Sequence, residues 1–549
     1  MNHPSLEGRW KVTSRICNRV ALVPMTLGVL ALAAFIADAD VAGTGSTTQT
    51  SATTAVPKAQ CGPADRAETV LQGQVPFNER VEGFKGYNCN LKLTAAAHSS
   101  RGDGHWQQFA LVRDRSGHVC GYGGPTSFNA KLGTTVVDLT DPTHSQETAV
   151  INTPGLRAPG EGLRAHAGRG LLVSAYYMNF PSADEDTHGF DVYDVGTDCR
   201  HPILLSSTTQ LSFSTAGLTT TGPSVDRIYG HEGAFSPDGN TYWVGDFAHG
   251  VYHAIDITNP THPKYLAGFS TPAALKGMAT VHGLSISDDG KRAYATTLAP
   301  YNSKAIAMED GAIVPSKGEF HDGFLVLDIS EVQARKLNPK IHLISETNWH
   351  DNSWSEMTIP VRIGGRPYLV TVAEAGVGIA GSDGIKAACA LGRTPFGMAK
   401  IFDIADEHKP VLVKNMALEV NDPKNCALIE PEISVMKTVN AWIGGLFLYD
   451  VHMCSVDNRD EATTLACGYF NSGIRVYDIR DPGHAKEIAY YIPPAKTAGS
   501  IGFCAAIPIL DATSGMLYSN CADSGVVSLK FTNGAWPLPK SSTPPDKQL

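Results

Sequence analysis

One stretch constrains the fold more than any other. Residues 230–271 read GHEGAFS, PDG, NTYWVGDF, AHG, VYHAIDI, TNPTHP, KYLAGFST. Four runs alternate apolar and polar residues, and turn signals separate them. Period-two alternation places successive side chains on opposite faces of a strand. Pro237-Asp238-Gly239 and Asn259-Pro260 are turn formers by mechanism: Pro presets φ, Gly accepts positive φ, and Asn or Asp bonds its own backbone. The unit is expected to be a four-stranded antiparallel sheet, too small to be stable by itself.

The third strand of this unit recurs along the chain. The pattern Gly, apolar residues, Asp, turn appears as GTTVVDLTDPTH (133–144), GFDVYDVGTDCRHP (189–202), GVYHAIDITNPTHP (250–263), GFLVLDISEV (323–332), GMAKIFDIADEHKP (397–410) and GIRVYDIRDPGHAK (473–486). A worn copy, GVVSLKFTNG (525–534), has Lys530 where the others have Asp138, Asp194, Asp256, Asp328, Asp403 and Asp478. The copies lie further apart than a blade of about 45 residues requires, so some loops are enlarged. Seven such units imply an all-β chain: a seven-bladed β-propeller of four-stranded antiparallel blades over residues 85–537. The last unit supplies three strands. The strand at 90–95, ahead of the first unit, is expected to complete the last blade and close the ring, because an open blade would expose a strand edge.

The repeated strand and turn resemble the LVIVD repeat of exported bacterial and archaeal propellers, most closely in LACGYFNSGIRVYDIRDPGHAKEIAYY (465–491). The resemblance implies a propeller fold and an exported location, and no particular reaction.

The N-terminus agrees with export. Arg9, Lys11, Arg15 and Arg19 precede an apolar run over 20–37, and Ala37-Asp38-Ala39 has the form a signal peptidase reads. A cleaved signal peptide over 1–39 is expected, although the run also approaches the length of a membrane anchor. Residues 40–84 read as a Thr/Ser-rich linker and N-terminal extension, flexible over 40–60, and 538–549 as a tail. No further membrane span is expected. The protein is read as a secreted, periplasmic or cell-surface monomer. Its 44 basic and 54 acidic residues give a net charge of −10 without a basic patch, which excludes nucleic acid as a partner.

Once Cys17 in the leader is set aside, ten cysteines remain, an even number suited to disulfides in an exported protein. Cys454 and Cys467 flank the first hairpin of blade 6, and Cys504 and Cys521 the same hairpin of blade 7; facing positions on adjacent strands predict both bridges. Cys389 and Cys426 lie in two loops of one face and form a third candidate pair. Cys61, Cys89, Cys120 and Cys199 cannot be connected from sequence.

The first strand of a blade lies nearest the propeller axis. Counted from the first hairpin turn, His231, His282 and His452 occupy equivalent places at the channel mouth. Glu356 is the corresponding region of blade 5, His350 lies in the loop before it, and His105 is roughly in register in blade 1. In blade 2, Gly160 takes the axial place, Glu161 matches Glu232, and His166 falls in the turn opposite Pro237. His231, His282 and His452 are donors suited to Cu, Fe or Zn; alternatively, they only hold neighbouring blades together. Loops 178–188, 299–321, 376–394 and 418–449 are expected on the same face. Asp184-Glu185-Asp186 lacks the spacing of a calcium loop, and no nucleophile elbow, zincin or phosphate-loop motif occurs. Two functions follow: a binding scaffold presenting these loops to a protein, glycan or small ligand, or a metal-dependent enzyme, an oxidoreductase, built on the axial histidines.

Overall fold

The computed structural model of the protein describes residues 54–102, 108–125, 131–177, 189–208, 230–271, 274, 279–298, 306–309, 312–315, 322–349, 353–374, 381–439, 447–496 and 503–539. Seven antiparallel sheets form a ring, a seven-bladed β-propeller with few helices. The inner strands of blades 1 to 7 are Gln108–Arg113, Arg164–His166, Gly230–Phe235, Thr280–Ile286, Trp354–Ile363, Val451–Val456 and Ile509–Asp511.

The repeated Asp has a local role. Asp138, Asp194, Asp256, Asp328, Asp403 and Asp478 each end a third strand. In each, Oδ1 accepts the backbone N–H two residues on: Thr140 and Gly196 at 2.8 Å, Thr258 at 2.8 Å, Ser330 and Ala405 at 2.9 Å, and Arg480 at 3.1 Å. The carboxylate thus stands in for a backbone acceptor and turns the chain toward the outer strand. Apolar residues of each sheet face the next blade. Val173 and Val192 of blade 2, for example, share a buried cluster with Tyr242, Val244 and Ile255 of blade 3. Interlocked faces of this kind supply the burial that a lone sheet lacks.

The N-terminal segment is built into the sheets. Leu91–Ala97 runs antiparallel to Gly525–Phe531 as the outer strand of blade 7, with Leu91 opposite Phe531 and Ala97 opposite Val526. Tyr87–Cys89 adds a fifth strand to blade 6, opposite residues 490–492. The expected flexible linker is docked in its last part: Val56 N–H donates to Ala417 O at 2.8 Å, and Glu487 N–H donates to Pro57 O at 3.0 Å. Its composition promised mobility, but these backbone groups find partners on blades 5 and 6. The leader and the rest of the linker lie outside the described residues.

Cys454–Cys467 and Cys504–Cys521 are bridged across the first hairpins of blades 6 and 7, with Cα atoms 4.0 and 4.1 Å apart. Cys389–Cys426 is also bridged. The remaining four pair as Cys61–Cys89 and Cys120–Cys199. The first ties the N-terminal segment to its own strand, and the second joins blade 1 to the turn beyond Asp194. Disulfides persist in oxidising compartments, and among the described residues no helix is long and apolar enough to cross a membrane. The five disulfides agree with a periplasmic or extracellular protein.

Candidate metal centre at the channel mouth

The inner strands of blades 3 to 6 share an irregularity. Their pairing with the second strand slips between Gly230 and Gly233, Val281 and Leu284, Ser355 and Thr358, and Val451 and Met453. Bulges at a rim re-aim side chains. The residues inside these four bulges include His231, Glu232, His282, Glu356 and His452, and all five are buried.

These side chains meet. His231 Nε2 lies 2.8 Å from His282 Nε2. Glu161 sits between the histidines: Oε2 is 3.0 Å from His231 Nε2 and 3.4 Å from His282 Nε2, and Oε1 is 3.2 Å from His452 Nε2. Glu374 lies 3.6 Å from His282 Nε2 through Oε1 and 3.6 Å from His452 Nε2 through Oε2. Glu356 Oε1 is 3.6 Å from His452 Nε2. His452 Nδ1–H donates to Ala505 O at 3.0 Å, which turns the Nε2 lone pair toward the carboxylates. Glu232 stands behind the group, with Oε2 3.5 Å from His282 Nδ1 and Oε1 accepting from Arg164 at 2.7 Å.

The electrostatics are those of anions held out of water. Burial opposes the charge of Glu161, but His231 and His282 outweigh it and hold its carboxyl well below the usual range. Burial, then the neighbouring Glu374, Glu161 and Glu232, pushes the Glu356 carboxyl well above that range. Burial also opposes the charge of His282, yet Glu161, Glu232 and Glu374 raise it to about 10, while burial and His282 lower His231. Both carboxylate oxygens of Glu356 are buried with no hydrogen-bond partner among the described residues.

An apolar collar rings the group. Phe247 stacks on His231 with centroids 4.9 Å apart, and Tyr177 lies 4.6 Å from the same ring. Phe470 meets His452 edge-on at 5.0 Å and stacks on Phe447 at 4.2 Å. Leu298 and Trp354 pack with Phe247. The collar keeps the local dielectric low and strengthens every charge interaction inside it.

Six of the eight channel-mouth residues singled out in the sequence thus converge: His231, Glu232, His282, His452, Glu356 and Glu161. His105, His350 and the Asp184-Glu185-Asp186 loop lie outside the described residues. Glu161 differs from its sequence alignment: it does not shadow Glu232 but occupies the centre. The reason is local. Blade 2 opens with a 3-10 turn, Gly160–Gly162, in place of the start of an inner strand, and Gly160 has φ +50 with the Tyr177 ring where a Cβ would stand. That turn swings Glu161 to the axis. His166 is peripheral, its Nε2 3.0 Å from Pro237 O.

Glu374 and Arg164 were not singled out. Glu374 has a readable signal. The residue before each axial side chain pairs as Gly230–Asp246, Val281–Thr297, Ser355–Ala373 and Val451–Tyr469. The next residues are Phe247, Leu298, Glu374 and Phe470. Blade 5 places a carboxylate where three other blades place an apolar collar residue. A second group, Asp114, His118 and Asp198, also brings donors together. There Asp114 Oδ1 accepts from Ser116 and His118 N–H and Oδ2 from Cys199 N–H, which is the bonding of a turn.

Segments from several blades lie on the channel-mouth face, because second strands end and third strands begin there. The hairpin Ile306–Glu309 and Ala312–Pro315 comes from blade 4, helix Gly381–Ala390 from blade 5, and helix Cys426–Val439 from the connection to blade 6. The hairpin and the two helices lie side by side, and Cys389–Cys426 ties the helices together.

The sequence matches no protein-family model and no curated protein. Solved structures similar to the chain include a candidate 6-phosphogluconolactonase of Bacteroides uniformis ATCC 8492, at 12% identity and TM-score 0.44, covering 76% of this chain and 94% of that one. The periplasmic gluconolactonase PpgL of Pseudomonas aeruginosa is similar at 12% identity and TM-score 0.38, covering 71% and 85%. The Cps50 (Swd1) β-propeller domain of Myceliophteria thermophila is similar at 10% identity and TM-score 0.41, covering 81% and 100%. Similarity at this level says nothing about activity.

Proposed function

We propose that this chain is an exported β-propeller that works as a metal-dependent enzyme at its channel mouth. One observation carries the reading: three imidazoles and the Glu161 carboxylate converge, buried, at the separations of metal ligands. A cluster of buried carboxylates with few cations is costly unless a counter-charge enters. The donors are imidazole nitrogens and carboxylate oxygens without sulfur, a set that suits Zn, Fe or Mn and moves the expectation away from Cu(I). Such an ion would polarise a substrate oxygen or activate water, and the collar favours a substrate with an apolar part.

The repeated Gly–apolar–Asp strand supports placing the chain among LVIVD-repeat propellers, and five disulfides support export. A second reading, a scaffold binding a protein, glycan or small ligand, draws on the disulfide-tied helices that share this face.

The test is direct. Protein purified without a histidine tag is stripped with chelator and titrated with Zn, Mn or Fe(II) while thermal unfolding is followed. Stabilisation is expected, growing with metal concentration, and is lost in His231→Ala plus His282→Ala. A melting temperature indifferent to all three metals would sink the enzyme reading and leave the scaffold.

A further inference from the structure

The donors at the channel mouth do not make one coordination sphere. They divide into two sets with two shared members. His231 Nε2, His282 Nε2, Glu161 Oε2 and Glu374 Oε1 form one set: His231 lies 2.8 Å from His282 and 3.0 Å from Glu161, and His282 lies 3.4 Å from Glu161 and 3.6 Å from Glu374. His452 Nε2 faces Glu161 Oε1, Glu356 Oε1 and Glu374 Oε2 at 3.2, 3.6 and 3.6 Å in the other. Around an ion with bonds of about 2.1 Å, tetrahedral ligand atoms stand roughly 3.4 Å apart. Glu161, His231 and His282 bring ligand atoms within 4.8 Å of one another, and so do Glu161, Glu356 and His452, while Glu374 approaches each group through its histidine at 3.6 Å.

We propose that the channel mouth holds two divalent first-row metal ions, with Glu161 and Glu374 bridging them. This rests on the metal-centre reading above and specifies it. Glu161 and Glu374 each offer one oxygen to each set, which is how a carboxylate spans ions about 3.5–4 Å apart. Three further observations agree. Glu356, fully buried and without a hydrogen-bond partner among the described residues, points its Oε1 into the second set. The Ala505 carbonyl fixes the His452 tautomer with Nε2 as the ligand atom. Arg164, Glu232 and His282 form a chain in which the carboxylate backs the imidazole nitrogen turned away from the site, an arrangement that orients metal-bound histidines.

Charge agrees with two ions. Arg164 offsets Glu232, which leaves Glu161, Glu356 and Glu374 as three buried acidic side chains, of which Glu356 has no hydrogen-bond partner among the described residues. Two ions cover all three carboxylates and leave a positive centre that attracts a hydroxide or an anionic substrate oxygen.

The test counts metal in the untagged protein after loading with Mn(II) or Zn(II). Two ions per chain are expected, and Mn(II)-loaded protein should give the exchange-coupled electron paramagnetic resonance spectrum of a close pair. One ion per chain, with an isolated Mn(II) spectrum, would overturn the pair and leave the metal centre standing. No bound ion would overturn both. Glu356→Gln keeps the side-chain volume and should lower the count from two to one while His231 and His282 hold the remaining ion; an unchanged count would also overturn the assignment. If Glu356→Gln does not fold, the wild-type count and spectrum still decide.

Discussion

At the scale of single residues, the site depends on groups that never reach the axis. Gly283 is one. A Cβ there would stand 1.6 Å from Glu232 Oε2 and 2.8 Å from the Glu356 carbonyl. Gly283→Ala should push Glu232 off His282 and weaken metal binding about 10- to 100-fold, the usual effect of losing an outer partner; chelator competition measures it, and unchanged affinity would show that Glu232 is dispensable. Asp246 makes a pH prediction. It is buried, accepts from His249 Nδ1 at 2.9 Å, and faces His253 Nε2 at 3.2 Å. Burial opposes its charge, but the His249 and His253 bonds win and hold its carboxyl below the usual range, while the Asp246 bond raises His249 against burial. A lowered acid stabilises above its ordinary value and loses that as pH falls through the folded value. A raised histidine stabilises below about 6.5 and loses that as pH climbs through its folded value. Wild-type protein should therefore unfold more easily on both flanks of a maximum lying between about pH 4 and 6.5. Asp246→Asn should be less stable within that window and should flatten both flanks; parallel melting curves for the two proteins would refute the assignment.

At the scale of the strand and turn, the repeat was readable because its chemistry is local. Each shared Asp bonds an N–H two residues on, so a short window contains both partners. Asp256→Ala should cost about 1 kcal/mol through the lost Thr258 bond, as read by chemical denaturation; a change within error would mean the following Asn259-Pro260 turn suffices alone. The hairpin cysteines were readable for the same reason, since Cys454 stands opposite Cys467 in the register. Elements whose partners are distant in the chain were harder to read. Cys120 and Cys199 belong to adjacent blades, and nothing in either segment names the other. Glu161 looked like the counterpart of Glu232 because alignment assumes a regular strand, whereas a 3-10 turn opens blade 2. Glu374 required comparing second-strand ends across four blades, because a lone Glu at a strand end is ordinary.

At the scale of the molecule, the N-terminal segment is the part whose role sequence pattern expressed least. Composition suggested a loose tether over 40–60, yet residues 56 and 57 dock on blades 5 and 6, and Tyr87–Cys89 covers the edge of Lys486–Ile492; only the strand Leu91–Ala97 against Gly525–Phe531 answers to an expected one. Arg475, buried in blade 6, donates to Glu68 and, at 2.6 Å, to Glu487, which joins this segment to the blade through charge. Removing one member of such a buried set leaves an uncompensated charge at a cost of about 3–5 kcal/mol. Glu68→Gln keeps the shape and removes one anion while Glu487 remains, so its cost should fall at or below that range, whereas Arg475→Met strands both carboxylates and should cost more. A truncation starting after residue 97 tests the edges themselves. It leaves two outer strands unpaired, one of them the GVVSLKF segment, whose apolar residues and open backbone groups form a template for another chain. The truncated protein should associate in a concentration-dependent way by light scattering, while the longer protein stays monomeric under the same conditions. The control is Ser528→Pro in the truncated chain: Ser528 O accepts from the Thr94 hydroxyl in the intact sheet, so the backbone groups of Ser528 lie on the uncovered edge, and proline blunts that edge without burying a charge. Reduced association in that control assigns the contact to the uncovered edge. A truncated protein that remains monomeric and melts at the original temperature would show that the N-terminal strands contribute neither edge protection nor stability.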